Sequence, residues 1–268
     1  MKKWEESMKP KRKLRSKRKR VACLALIPGL ICSGAMAQSA GSLITTVGGT
    51  WMDFGGSSAT ALQSTSAVGT FTSPGTGGQI HNTFTAELAF TYFVTDHIAL
   101  DLATGVPPEL KLYAQGMAAP FGPHGPTLDF GKLQPLATTR SWPPILFFKY
   151  YFGEPQTRLR PFLGVGVNYT WYSHTELNSN FSSALQQVAG PGGQARVELS
   201  SSWNPAFNAG ASYNISKNWY ANVSVTYLPL KTNATVSAIA ANGQPVLTNK
   251  THITANPWIT FVGVGYRF

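Results

Sequence analysis

Apolar and polar side chains alternate with a period of two along much of residues 43–268. At the C-terminal end Trp258, Thr260, Val262, Val264, Tyr266 and Phe268 share one face, while Gly263, Gly265 and Arg267 share the other. Further upstream Phe84, Ala86, Leu88, Phe90 and Tyr92 oppose Thr83, Thr85, Glu87, Ala89 and Thr91. In the same way Leu163, Val165, Val167, Tyr169 and Trp171 oppose Gly164, Gly166, Asn168, Thr170 and Tyr172. Successive side chains of a strand point to opposite faces, so each segment reads as a strand with one greasy face. The pattern predicts eight strands, at 43–53, 83–94, 98–105, 136–152, 161–176, 203–215, 219–236 and 251–268.

The connections alternate as well. Those at 95–97, 153–160 and 216–218 are short, and those at 54–82, 106–135, 177–202 and 237–250 are long. Short turns on one side and long loops on the other are the mark of an antiparallel up-and-down transmembrane β-barrel. A secreted β-sandwich would also alternate. It would hide its apolar faces in one core, however, and its strands would run to about 5–6 residues. Trp51, Trp142, Tyr151, Trp171, Trp203, Trp219, Trp258, Tyr266 and Phe268 fall near strand ends, where interfacial aromatic girdles belong. The Gly-, Ser- and Thr-rich stretch 55–78 reads as a mobile surface loop.

Charge changes the picture only at the start. Residues 1–37 hold eleven of the 22 basic residues and two of the 11 acidic ones, so nine of the eleven net positive charges. An apolar run, 21–31, follows the basic cluster, and Ala35-Met36-Ala37 follows that. This order reads as a cleaved secretory signal, 1–37, ahead of a single barrel domain, 38–268. The apolar run is too short for a spanning helix, which needs roughly 20 residues. The basic cluster therefore belongs to export, and no nucleic-acid partner is expected. Cys23 and Cys32 both fall in this segment, which leaves the barrel without a thiol or a disulfide.

Several segments share a further likeness. They include Tyr92-Phe93-Val94-Thr95-Asp96-His97-Ile98-Ala99-Leu100-Asp101, Pro143-Pro144-Ile145-Leu146 running into Lys149-Tyr150-Tyr151-Phe152-Gly153, and Arg160-Pro161-Phe162-Leu163-Gly164-Val165-Gly166. Ser202-Trp203, Lys217-Asn218-Trp219-Tyr220-Ala221-Asn222 and the closing Gly263-Val264-Gly265-Tyr266-Arg267-Phe268 complete the set. Over most of 84–268 the chain resembles the OmpW family of bacterial outer-membrane proteins, which includes AlkL-type alkane importers. The resemblance implies an eight-stranded barrel with a narrow apolar channel. Small hydrophobic molecules would pass inward and leave sideways through the wall. The chain departs from the family in its Pro- and Gly-rich 106–135 stretch and in Arg140-Ser141-Trp142, where the family often has a His.

Strand parity points Glu87, Asp101, Lys149 and Arg267 inward, where they form a lumen charge network. A Lys or Arg facing mid-bilayer lipid would cost about 2–4 kcal/mol. Phe147, Tyr151, Phe162, Tyr172, Ile259 and Phe261 also point inward, as channel-lining candidates. Trp203, at a loop-to-strand junction, is the gate candidate. Pro143, Pro144 and Pro257 interrupt strands, because proline cannot donate to the ladder. Tyr266 and Phe268 form the terminal signal for the barrel-assembly machinery. The other expected partners are outer-membrane lipid, lipopolysaccharide and small hydrophobic ligands.

No cofactor or metal is expected. His81, His97, His124, His174 and His252 are scattered, and none has an obvious nucleophile–base arrangement. A hydrophobic-solute channel is the leading function. A closed structural or adhesive barrel and a lipid A-modifying barrel enzyme remain as alternatives.

Overall fold

The computed structural model describes residues 38–268; the signal segment expected at 1–37 lies outside the described residues. Eight strands form the frame: β1 (Leu43–Asp53), β2 (Thr83–Phe93), β3 (Ile98–Gly105), β4 (Ile145–Tyr151), β5 (Leu159–Leu177), β6 (Ser202–Asn214), β7 (Trp219–Tyr227) and β8 (Trp258–Arg267). Each pairs antiparallel with its neighbour in sequence. β8 pairs back onto β1, with Val47 opposite Val264, and closes an up-and-down barrel. Closure satisfies the backbone groups that an open edge would leave unpaired in lipid.

The faces are those the period-two pattern predicts. Along β8 exposure alternates strictly, with Trp258, Val262, Val264 and Tyr266 outside and Ile259, Phe261 and Arg267 inside. The outer wall is a band of exposed Leu, Val and Phe. Aromatic pairs rim it at both ends. Trp219–Tyr266 and Tyr150–Phe152 mark the short-turn end, and Tyr169–Trp203 and Tyr227–Trp258 mark the other. Tyr151 is not in a girdle, because its ring is buried inside the barrel. Among the described residues no helix is long and apolar enough to cross a membrane.

The long connections are folded, contrary to the expectation of loops. The far half of β5 carries a sheet through strands Ala137–Trp142, Glu109–Gln115 and Gly77–Ile80. A second sheet runs through Gln194–Leu199, Lys231–Ile239, Pro245–Thr254, Leu62–Ser66 and Gly69–Ser73. Helix α1 (Ser179–Ala189) packs among them, capped by the Asn178 side chain and ended by Gly190 at φ 82°. Its buried residues Phe181, Leu185 and Ala189 recur every four positions, one stripe of a helix.

The stretch 55–78 is thus not a mobile loop. Ser57, Ser64, Ser73 and Thr76 are buried, and two of them are bonded across the fold: Ser64 Oγ donates to Asn249 Oδ1 at 2.7 Å, and Leu62 N donates to Thr76 Oγ1 at 2.8 Å. A composition typical of disorder is held here by partners far away in sequence.

Three predicted strands are each split in two. The 136–152 strand breaks at Pro143-Pro144, the 219–236 strand at Leu228-Pro229-Leu230, and the 251–268 strand at Ala255-Asn256-Pro257. Each break contains a proline, which offers no N–H to the ladder.

Candidate functional site

The short-turn end of the barrel is filled. Arg160 is almost wholly buried, and its guanidinium donates to the carbonyls of Gln38 (2.6 Å), Asp96 (2.5 Å) and Gly153 (3.2 Å). The Gln38 side chain in turn donates to Ser212 Oγ. The Phe93 and Tyr151 rings lie 5.7 and 5.4 Å from the guanidinium carbon. Phe162 packs on Tyr151 at 4.9 Å. Sequence reasoning assigned Arg160 to a turn. The signal that could have found it is its parity with Phe162, two residues on, which puts both on the inner face.

Above this floor lies a charged layer. Lys149 Nζ is 2.7 Å from Asp101 Oδ2, and both side chains are buried. Thr91 donates to the other Asp101 oxygen. The Lys149 ammonium also sits 4.8 Å from the Phe162 ring centre and 5.3 Å from that of Phe147. Glu87 accepts from Thr50 Oγ1 at 2.7 Å. A buried ion pair needs such extra donors and ring faces, because two desolvated charges are otherwise costly.

A lumen cavity of about 70 Å³ opens on this layer. Met52, Glu87, Asp101, Phe147, Lys149, Ile259 and Phe261 line it within the barrel. It also reaches Val106, Pro107, Pro108, Trp142, Pro143, Pro144 and Trp171, at the wall between β3 and β4. The β3–β4 ladder ends at Ala103 opposite Ile145. The next bond on that seam is Ser141 N to Pro108 O, 3.0 Å. Between these points the prolines have no N–H to give. The Pro144 carbonyl turns instead to β5, accepting from Asn168 Nδ2 at 2.9 Å. On the other side of β3, Gly105 is required where it meets β2, since a Cβ there would stand 2.2 Å from the Ala86 carbonyl oxygen.

A second cavity, about 100 Å³, lies between the two outer sheets. Leu62, Ile80, Leu110, Leu112, Phe130, Tyr172, Phe181, Val236 and Ile253 give it an almost wholly apolar lining.

The residues singled out from the sequence separate into distinct places. Phe147, Ile259 and Phe261 face the lumen cavity, Tyr172 faces the outer one, and Tyr151 and Phe162 belong to the floor. Arg267 points inward near the short-turn end, and its carbonyl accepts from Asn218 Nδ2 at 2.9 Å. Pro257 sits in the break before β8, and Tyr266 and Phe268 are exposed on the outer face. Trp203 corrects an expectation. It is 70 % exposed on the outer wall, its ring 4.7 Å from Tyr169, and it lines neither cavity. Its pairing opposite Tyr169 puts it in the outward row with Trp171, so it is a girdle residue and not a lumen gate.

The histidines do not converge. His81 stacks on Tyr113 at 3.7 Å, His97 Nδ1 meets the Tyr151 carbonyl at 3.1 Å, and His252 Nδ1 meets Asn233 Oδ1 at 2.9 Å. His174 lies 3.2 Å from the hydroxyl of its neighbour Ser173, on an exposed bend, with no carboxylate bonded to it among the described residues.

Comparison with known proteins agrees with this architecture. The OmpW family model matches residues 40–268. Outer membrane protein W of Escherichia coli (strain K12) is 29 % identical over 248 residues, 92 % of this chain and 98 % of that protein. Outer membrane protein AlkL of Ectopseudomonas oleovorans is 27 % identical over 196 residues, 73 % of this chain and 70 % of its own. The crystal structure of OprG from Pseudomonas aeruginosa superposes with a TM-score of 0.68 at 24 % identity, covering 87 % of this chain and 98 % of that one.

Proposed function

The chain belongs to the OmpW family of outer-membrane barrels, and from that premise we propose that it passes small hydrophobic molecules across the outer membrane and releases them sideways into the bilayer. One observation carries this reading. The lumen cavity is stopped below by the Lys149–Asp101 layer and the Arg160 floor, yet it extends to the wall at Pro107-Pro108 and Pro143-Pro144.

The physical logic is one of solvation. An apolar solute gains about 0.8 kcal/mol per methylene on leaving water, so an apolar outer cavity concentrates it without any energy source. A charged, sealed floor turns it away from the periplasmic end. A gap in the ladder, flanked by the stacked Trp142 and Trp171 rings, leads it to lipid. No cofactor enters this scheme. The exposed C-terminal strand face with Tyr266 and Phe268 is the part offered to the assembly machinery.

The test is uptake of a labelled medium-chain alkane by cells with and without the protein, beside a small sugar. Faster alkane entry alone is the expected result. Faster sugar entry would mean a water-filled pore and overturn the reading. A closed structural barrel is the second reading, favoured by the sealed floor, and it predicts no change in either solute.

A further inference from the structure

The outer cavity and the lumen cavity share no lining residue among the described residues. What separates them is a packed apolar cluster. It contains Met52 and Ile259 from the lumen cavity and Leu110 and Ala255 from the outer one. The same cluster contains Phe54, Leu228 and Leu230, which line neither cavity. These three are 3 %, 1 % and 3 % exposed, so they fill the space between.

The backbone that carries two of them is unusual. The β7–β8 ladder runs as far as Tyr227 opposite Trp258, and pairing resumes at Lys231 opposite Thr254. Three residues on each side fall between. There Leu230 N donates to the carbonyl of Leu228, two residues back, at 2.8 Å. An i to i+2 bond of this kind marks a tight γ-type turn and folds the chain out of the ladder. Pro229 and Pro257 cannot donate. Asn256 sits at φ 42°, in the left-handed region that few side chains adopt, with its Oδ1 buried and unbonded. The hairpin is therefore pinched. Leu228 and Leu230, two residues apart, keep the inward parity of Ser224 and Thr226 through the pinch, and all four are buried.

We infer that Phe54, Leu228 and Leu230 form the apolar barrier between the outer cavity and the lumen cavity, and so set which solutes pass from one to the other. This rests on the transport reading for its biological sense, though not for its test. A plug of Leu and Phe in a low-dielectric bore excludes water and ions while costing an apolar solute no desolvation. Two cross-strand bonds hold the pinch, Leu228 N to the Pro257 carbonyl at 3.2 Å and Ala255 N to the Leu230 carbonyl at 2.8 Å.

The barrier is tested with a single cysteine on its far side. Cys23 and Cys32 are the chain's only cysteines and precede the described residues, so Met52→Cys places a unique thiol in the barrel. The purified barrel in lipid nanodiscs is exposed to a charged, lipid-impermeant thiol reagent, with the parent chain as background. Labelling of Met52→Cys is expected to be slow. Adding Leu228→Ala and Leu230→Ala should speed it roughly fivefold or more, the scale on which modest coupling energies act. Equal rates in the two backgrounds would overturn the barrier.

If the double replacement does not fold, as judged by heat-modifiable gel mobility, Leu228→Ala alone serves the same comparison. Alkane uptake by the same variants tests transport separately. Labelling that responds while no variant, nor the parent, speeds uptake would remove the transport reading and keep the barrier. Uptake by the parent with labelling indifferent to Leu228 and Leu230 would do the reverse.

Discussion

Lys149 Nζ stands 2.7 Å from Asp101 Oδ2 in the middle of the barrel, one residue from β4 and one from the adjacent β3. Removing one partner leaves the other charge buried and alone. Lys149→Met should destabilise the barrel by about 3–5 kcal/mol, while the paired change Lys149→Met with Asp101→Leu should lie close to the parent. Denaturant midpoints followed by gel mobility would check both, and an unaltered single variant would mean the pair is solvated.

Arg160 ties three backbone carbonyls together across the short-turn end. Arg160→Ala should loosen that floor and raise ion conductance in planar bilayers, where the parent is expected to conduct little. Arg160→Lys should rescue only in part, since an ammonium lacks the planar fork that reaches several acceptors at once.

The wall break depends on residues without an N–H. Replacing Pro143 and Pro144 by Thr and Val supplies two donors and favours continuous pairing of β4 with β3. Alkane uptake should fall while gel mobility stays that of a folded barrel. Undiminished uptake would place the exit elsewhere.

Gly164 lies on the inner face beside the charged layer. A Cβ there would approach Lys149 Cγ at 3.0 Å and Asn208 Cβ at 3.6 Å, so small additions fit once the Lys149 stem gives slightly. Gly164→Val should therefore fold and slow uptake by crowding the lumen cavity from below. Loss of the folded form instead would show that the layer does not yield.

Trp203 is the counter-case. Standing on the outer wall, it should tolerate Trp203→Ala with uptake unchanged, and the cost should appear only as a modest loss of stability from the Tyr169 contact. A collapse of uptake would return it to the solute path.

The strand alternation, the up-and-down order and the inward parity of residues such as Glu87, Asp101, Lys149 and Phe261 were all legible in the sequence. The physical reason is local. A strand's two faces are decided by neighbouring residues, and a chain in lipid must put apolar groups on one face and polar or small groups on the other. The breaks at Pro143-Pro144 and Pro257 were legible for the same reason, since a missing N–H is a property of one residue, while the break at Pro229 was read as continuous strand. Tertiary structure alone decided the rest. Residues 55–78 look like a loop until Pro245–Thr254, far along the chain, lies beside Leu62–Ser66. Arg160 looks like a turn residue until the carbonyls of Gln38 and Asp96 surround it. Leu228 and Leu230 carry the inward parity of their strand, but only the fold gathers them with Phe54 and Leu110 between the two cavities. Each depends on pairing between segments distant in sequence, and no local pattern encodes which distant segment will arrive.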